Sequence, residues 1–137
     1  IIQSQKIYNK NNTLLLPDFI SKIEDLYYFQ EINSKPTFIG KSIISKTIYF
    51  SREIKNLKLY KNKIVLIQNA DPGYEFLFHL GIKGIITKYG GSNSHMAIRS
   101  HELKLSSVIG TGYLFEKIKN NETIKIDAIN KVIVSQI

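Results

Sequence analysis

Short apolar runs alternate with segments of helical character in the middle of the chain, and this order limits the folds open to it. Ile64–Ile67 and Gly84–Thr87 are largely apolar runs of four residues, and 107–109 is a third short run. Short apolar runs between turn residues are typical of buried strands. Residues 74–80 and 95–103 lie between them and are predicted to be helices. The order strand, helix, strand, helix, strand predicts an α/β fold with a mixed sheet.

Further strands are predicted on both sides of this centre. Residues 38–50 alternate loosely and are rich in Ile, Phe, Tyr and Thr, so they are predicted to form one strand or a hairpin pair. Residues Thr123–Asp127 and 132–134 are predicted to form a closing antiparallel pair. Together these segments extend the predicted sheet beyond its three central strands.

The beginning of the chain has a different character. Residues 17–30 start with Pro17, which suits the first position of a helix, and carry apolar side chains at helical spacing. Asn33, Ser34 and Pro36 then break the pattern. We therefore expect a lead-in helix and linker over residues 1–37 and a compact domain over residues 38–137. The chain starts at Ile and not Met, which indicates a fragment of a longer protein or a processed chain.

The charge and composition bear on the partners of the chain. The formal net charge is +8, which is compatible with an anionic partner. The lysines are spread along the chain, however, and few aromatic residues lie among them in a stacking pattern, so we expect no nucleic-acid partner. No apolar run is long enough to cross a bilayer, so no membrane partner is expected. The absence of Cys favours a cytoplasmic location.

The residues with the most chemical content lie in the stretch GGSNSHMAIR, residues 90–99. Gly90 and Gly91 permit backbone conformations and close approaches that other residues resist. Asn93 and Ser94 are good N-cap residues. A helix that begins at or next to His95 would offer free N–H groups and its positive dipole end to an anion. Neutral imidazole is a competent nucleophile near neutral pH, so the physics permits a phosphohistidine here.

Simpler interpretations of the same loop remain open. A glycine pair before a helix can be a plain tight turn, and a His at a helix start can be a cap or a surface residue. The loop lacks the Gly-Lys-Ser/Thr ending of a P-loop and the three-glycine spacing of dinucleotide sites. His95 and His101 are six residues apart, with no carboxylate or Cys at ligand spacing, so no metal site is predicted. His79 is expected to be an ordinary helix residue, and His101 is expected to face solvent.

The string GGSNSHMAIRSHELKLSSVIG resembles the signature of the mobile domain of phosphoenolpyruvate (PEP)-utilising enzymes. In that signature a Gly-Gly pair precedes the reactive His, and Val-x-Gly closes the motif. The stretches KIVLIQNADPGYEFLF and ETIKIDAINKVIV resemble the family's strand, turn and helix and its closing strands. The resemblance covers residues 38–135 and is most specific over 84–110. It implies a mixed-sheet β/β/α swivelling domain, here with a leading helix.

The resemblance also implies a function. His95 would carry a phosphoryl group between the other domains of a larger enzyme similar to PEP synthase or pyruvate phosphate dikinase. Gly90 and Gly91 would leave room for the phosphate and a partner domain, Asn93 and Ser94 would hydrogen-bond the ring or the phosphate, and Arg99 would add positive charge.

The partners and cofactors follow from the same resemblance. A separate ATP-grasp domain would phosphorylate His95 from ATP, and Mg²⁺ and ATP would bind there and not in this domain. The linker over 31–37 would serve as a hinge. An acceptor domain of the same parent chain would receive the phosphoryl group for a small molecule such as pyruvate.

Three departures from the signature leave the subfamily open. Asn93 replaces the usual Thr, 100–102 reads Ser-His-Glu in place of Ala-Arg-Glu, and 104–107 reads Lys-Leu-Ser-Ser in place of Gly-Ile-Pro-Ala. The alternatives are a PEP-dependent phosphotransferase, a glutamine-kinase-like phosphotransferase, and a catalytically inactive structural or interaction domain of the same fold.

Overall fold

The computed structural model of this chain describes residues 35–135. The helix predicted over 17–30 and most of the linker predicted over 31–37 lie outside these residues. Within them, seven strands form one sheet. The strands are β1 (Thr37–Ile39), β2 (Ile43–Tyr49), β3 (Ile64–Ile67), β4 (Gly84–Thr87), β5 (Ser106–Ile109), β6 (Thr123–Asp127) and β7 (Val132–Ser135). The α-helix is α1 (His95–Glu102), and 3₁₀ helices span Leu57–Tyr60, Pro72–Leu80 and Gly112–Lys117.

The sheet is mixed, as the sequence predicts. Its strand order is β1-β5-β4-β3-β2-β6-β7. The four central strands, β2 to β5, run parallel to one another, whereas β1, β6 and β7 pair antiparallel with their neighbours. The closing pair of β6 and β7 is confirmed, with Asp127 opposite Val132 next to the turn. Parallel strands joined through helices are the expected product of the alternating order of the central segments.

The single strand or hairpin pair predicted for residues 38–50 is wrong. The segment forms two strands, but β1 pairs with β5 at one edge of the sheet and β2 pairs with β3 and β6. Gly40 separates them with a φ of +83°, and a Cβ built on it would lie 2.9 Å from the Leu105 carbonyl oxygen and 3.0 Å from the Ser106 Cα. This close packing places β1 beside β5, which begins one residue after Leu105. Strand β1 also begins at Thr37, the last residue of the predicted linker.

The core has two layers because successive residues of each central strand face opposite sides of the sheet. In β3, Val65 and Ile67 belong to one layer, and Ile64 and Leu66 belong to the other; all four are buried. The first layer is covered by α1 and by the 3₁₀ helix Pro72–Leu80, through side chains that include Met96, Ala97 and Leu77. The second is covered by Phe115, Ile118 and the apolar residues of β6.

The two central helices appear where the sequence predicts them. The segment predicted as a helix over 74–80 lies in the 3₁₀ helix Pro72–Leu80, with Pro72 at its first turn. The helix predicted over 95–103 is α1, which ends one residue earlier, at Glu102. Each follows the end of a parallel strand, so both helices start from the same edge of the sheet. No helix in the part of the chain that the structure describes is long and apolar enough to cross a membrane.

Candidate functional site

The loops that follow β3, β4 and β5 meet at the carboxyl edge of the sheet, and Thr87 holds them together. The fully buried Thr87 hydroxyl donates to the carbonyl oxygen of Tyr89 at 2.9 Å and accepts from the N–H of Gly110 at 3.0 Å. The hydroxyl of Thr111 donates to the Thr87 carbonyl oxygen at 2.9 Å. The N–H of Tyr89 donates to the carbonyl oxygen of Gln68 at 2.8 Å. The loop from β4 to α1 therefore starts from a fixed position.

The two glycines of this loop have different surroundings. Gly90 has a φ of +128°, and a Cβ built on it would lie 2.6 Å from the Ala70 Cβ and 3.0 Å from the Ile109 Cγ2. No atom lies within 4 Å of a Cβ built on Gly91. The space beside Gly90 is thus filled by the domain itself, whereas Gly91 faces open space. Of the two glycines predicted to leave room for a phosphate, Gly91 has that room.

Ser94 begins α1. Its backbone is extended, with φ −68° and ψ 152°, and its hydroxyl accepts a hydrogen bond from the N–H of Ala97 at 3.4 Å. The exposed Asn93 has its side-chain oxygen 3.5 Å from the Ser92 hydroxyl. Among the described residues neither Asn93 nor Ser94 hydrogen-bonds the ring of His95. Ser94 therefore positions His95 through the helix start.

His95 is the first residue of α1, and its side chain is 38% exposed. Its Nε2 lies 3.1 Å from Oε2 of Glu75, which belongs to the 3₁₀ helix Pro72–Leu80. The hydrogen bond to His95 lowers the pKa of Glu75, and the Arg99 guanidinium lowers it further, against the opposing effect of partial burial. The reactive ring predicted from the sequence is therefore accessible on one side and held by a carboxylate on the other.

Glu75 is a site residue that the sequence analysis missed. It lies 20 positions before His95, and no local motif links the two. The available signal was weak: Glu75 is the one acidic residue of the predicted helix 74–80, and that helix starts from the same sheet edge as the His95 loop. A pair of parallel strands, each followed by a helix, brings such residues together without any sequence periodicity.

Arg99 lies one helical turn after His95 and reaches the site through Glu75. Its Nε is 2.7 Å from Glu75 Oε1, which makes an ion pair. Its Nη1 is 2.5 Å from Oε2 of Glu102. The hydrogen bond to Glu102 and the charge of Glu75 raise the pKa of Arg99. The positive charge predicted near the loop is present, and it lies between two carboxylates.

The two other histidines stand apart from this group. His79 and His101 are both exposed, the latter as predicted. Within residues 35–135, no group of three or more His, Cys, Asp and Glu side chains could hold a metal ion. The site thus consists of one half-exposed imidazole at a helix start, a carboxylate on Nε2, a cation behind the carboxylate, and an open face at Gly91. The start of α1 and the open face at Gly91 suit the binding of an anionic group from solvent.

Comparison with known sequences and structures gives three kinds of match. The family described as "PEP-utilising enzyme, mobile domain" matches residues 59–131. The chain is 32% identical over 98 residues to the phosphoenolpyruvate-protein phosphotransferase of Buchnera aphidicola subsp. Schizaphis graminum, covering 70% of this chain and 17% of that protein. It is 32% identical over 121 residues to the protein of the same name from Staphylococcus epidermidis, covering 82% of this chain and 20% of that protein.

A solved structure shares the fold. The solution structure of an Enzyme I protein matches with a TM-score of 0.50 and 23% identity, covering 59% of this chain and 34% of that one. The chain therefore spans about one fifth of the length of the two relatives and about one third of that structure.

Proposed function

The chain belongs to the family of PEP-utilising enzyme mobile domains, and on that premise we propose that it is the phosphoryl-carrier domain of a phosphotransferase. His95 is the residue that becomes phosphorylated. The observation that carries this proposal is the position of His95, half exposed at the first residue of α1 directly after the Gly-rich loop. A nucleophile there has free backbone N–H groups of the first helical turn close at hand for an anion.

The neighbouring residues support this role. Gly91 leaves the outer side of the loop open to a partner, and Ser94 fixes the start of the helix that bears His95. Asn93 is exposed and free to turn its amide toward a phosphoryl group. Arg99 supplies positive charge one turn away. The positive net charge of the chain adds a general attraction for phosphate-bearing partners.

We propose PEP as the donor because the matching relatives are named phosphoenolpyruvate-protein phosphotransferases. In that step the bond between phosphorus and the enol oxygen breaks, and a bond forms between phosphorus and an imidazole nitrogen. The attacking nitrogen uses its lone pair while the ring proton stays on the other nitrogen, and the enolate that leaves takes up a proton from solvent to become pyruvate. The phosphoryl group then passes to a second acceptor, and splitting one transfer into two lets each partner be positioned in turn.

ATP is the second candidate donor, favoured by the resemblance of GGSNSHMAIR to ATP-dependent members of the family. An ATP-grasp domain of the same parent chain would then supply the phosphoryl group and would bind the ATP and Mg²⁺, while an acceptor domain would bind a small molecule such as pyruvate. In either case we propose that this domain requires other domains for turnover and that it works in the cytoplasm, where PEP and ATP are produced.

The deciding experiment uses the full-length protein that contains this chain. It is incubated separately with PEP, with β-labelled ATP and with γ-labelled ATP, each carrying ³²P at the transferable position, and acid-labile, base-stable label on the protein is counted. His95→Ala should abolish the label. His101→Ala, which removes an exposed His from the same helix, should retain it.

Each donor gives a different result. Label from PEP alone supports the PEP-dependent carrier, and label from β-labelled ATP supports a dikinase-type enzyme. Label that survives in His95→Ala would reject His95 as the carrier. The absence of label from all three donors would overturn the proposal in favour of a structural domain of the same fold.

A further inference from the structure

Nε2 of His95 contacts a carboxylate in the described part of the chain. Glu75 Oε2 lies 3.1 Å from this nitrogen, and the two side chains are similarly half exposed, at 38% for His95 and 37% for Glu75. The contact joins the start of α1 to the 3₁₀ helix Pro72–Leu80. No other polar contact to the ring is present among the described residues.

The chemistry of this contact opposes phosphorylation at Nε2. An ionised carboxylate is only an acceptor, so the nitrogen that it contacts must be the donor and must carry a proton. A nitrogen attacks phosphorus with its lone pair, which a protonated Nε2 does not present. A phosphoryl donor is anionic as well, and it would have to approach Nε2 past the negative charge of Glu75.

Arg99 holds the shielding carboxylate by its other oxygen. Arg99 Nε is 2.7 Å from Glu75 Oε1, while Arg99 Nη1 is bound to Glu102. The guanidinium is therefore held by Glu102 through Nη1. Its Nε already contacts Glu75, so Arg99 remains a partner for the Glu75 carboxylate when the contact with His95 is lost. The lowered pKa of Glu75 is consistent with a carboxylate that stays ionised in this position.

We infer that Glu75 is a positioning residue that shields Nε2 of His95 until a phosphoryl donor displaces it, and that Arg99 then takes over the released carboxylate. The inference rests on the proposed carrier function of His95. Once Glu75 is displaced, Nε2 gives its proton to solvent and Nδ1 takes one up, so that Nε2 has a lone pair for attack. The bond between Nε2 and phosphorus then forms as the bond between phosphorus and the leaving group of the donor breaks, and the phosphoryl oxygens occupy the place of Glu75 Oε2. The shield would protect the free domain from adventitious phosphoryl donors.

The test uses the 137-residue chain and a small donor that needs no partner domain. Phosphoramidate transfers its phosphoryl group to imidazole: the P–N bond of the reagent breaks, a bond between phosphorus and the ring nitrogen forms, and ammonia leaves with the displaced proton. Phosphorus NMR resolves the products on Nε2 and Nδ1. The exposed His79 and His101 serve as reference acceptors within the same molecule.

Three variants are compared with the parent chain at one pH. Glu75→Ala removes the shield, Glu75→Gln keeps its shape without its charge, and Glu102→Gln is the matched control, because Glu102 contacts Arg99 without contacting His95. Circular dichroism and amide NMR spectra establish that each variant is folded. Glu75 is 37% exposed, so its replacement leaves no buried cavity.

We expect Glu75→Ala to raise the rate at Nε2 of His95, relative to His79 and His101, by roughly three-fold or more, in keeping with a partly exposed charged contact. Glu75→Gln should give a smaller rise, and Glu102→Gln none. An unchanged or slower rate in Glu75→Ala, or a rise at all three histidines alike, would overturn the inference. This test uses no physiological donor, so its result is independent of the donor-labelling experiment. The shielding of Nε2 by Glu75 can be disproved while His95 remains the carrier. The carrier function can likewise be disproved while Glu75 is still found to slow the reaction at Nε2.

Discussion

Gly90 faces Ala70 so closely that a Cβ at position 90 would lie 2.6 Å from the Cβ of Ala70. The next residue, Gly91, faces open space. The two glycines of the motif thus meet different demands. Gly90 lets the loop pass close to the turn after β3, and Gly91 leaves the outer surface of the loop uncovered.

Replacement of each glycine by Ala should separate these demands. Gly90→Ala meets a filled space at a φ of +128° and should lower the free energy of unfolding by about 1–3 kcal/mol. Gly91→Ala should change it by less than about 0.5 kcal/mol. Urea denaturation of both variants measures the difference. Equal losses in the two variants would contradict the packing role of Gly90.

Gly91→Ala should nevertheless impair phosphorylation. The added methyl group enters the open space beside the His95 loop, where we propose that the phosphoryl donor approaches. We expect labelling of the full-length protein to slow by roughly ten-fold, as small displacements of reacting groups do. Labelling at the wild-type rate would show that the space beside Gly91 is not used.

The capping role of Ser94 can be separated from its proximity to His95. Ser94→Ala removes the acceptor for the Ala97 N–H and should lower the free energy of unfolding by about 1 kcal/mol. Ser94→Asp should restore the cap, because Asp is an equally good N-cap residue. Its negative charge next to His95 should still slow phosphorylation by an anionic donor. Thermal unfolding of both variants tests the capping role, and donor labelling of both tests the effect of the charge. A Ser94→Asp variant that is labelled at the wild-type rate would contradict the effect of the charge.

The Thr87 hydroxyl should be needed for the stability of the site loop. Thr87→Val leaves the N–H of Gly110 and the carbonyl oxygen of Tyr89 without their side-chain partner in a fully buried position. We expect the free energy of unfolding to fall by about 1–3 kcal/mol. Thr87→Ser keeps the hydroxyl and is the control, with a smaller loss from the missing methyl group. Denaturant titration that ranks Ser below Val would refute this assignment.

Asp127 should give the fold part of its dependence on acid pH. Its carboxylate accepts hydrogen bonds from the N–H groups of Ile129 and Asn130 in the turn between β6 and β7, and it pairs with Lys125. The backbone hydrogen bond of Asn130 and the contact with Lys125 hold the pKa of Asp127 far below its ordinary value of 3.8.

The sign of this effect follows from the lowered pKa. The stabilisation is present above the ordinary value of 3.8 and is lost as the pH falls below it toward the pKa in the folded state. The free energy of unfolding of the parent chain and of Asp127→Asn should therefore differ most near neutral pH and converge below about pH 4. Urea titrations of both proteins between pH 7 and pH 2 measure this. A difference that stays constant with pH would contradict the assignment.

The sequence predicted those parts of the fold that leave a local pattern. The four consecutive apolar residues of Ile64–Ile67 mark a strand that is buried on both faces, and the Gly-rich loop before His95 marks the start of α1. The pairing of β1 with β5 and the contact of Glu75 with His95 leave no local pattern in the sequence. Both depend on how the central strands align. That alignment is determined by the packing of side chains that are far apart in the sequence. A resemblance to a family supplied the proposed role of His95, but it did not extend to Glu75.

The register of β1 fixes where the described chain enters the sheet. Thr37, the first residue of β1, pairs with Ile109, the last residue of β5, and α1 packs against β1. The described chain therefore joins the sheet at the same edge as the His95 loop.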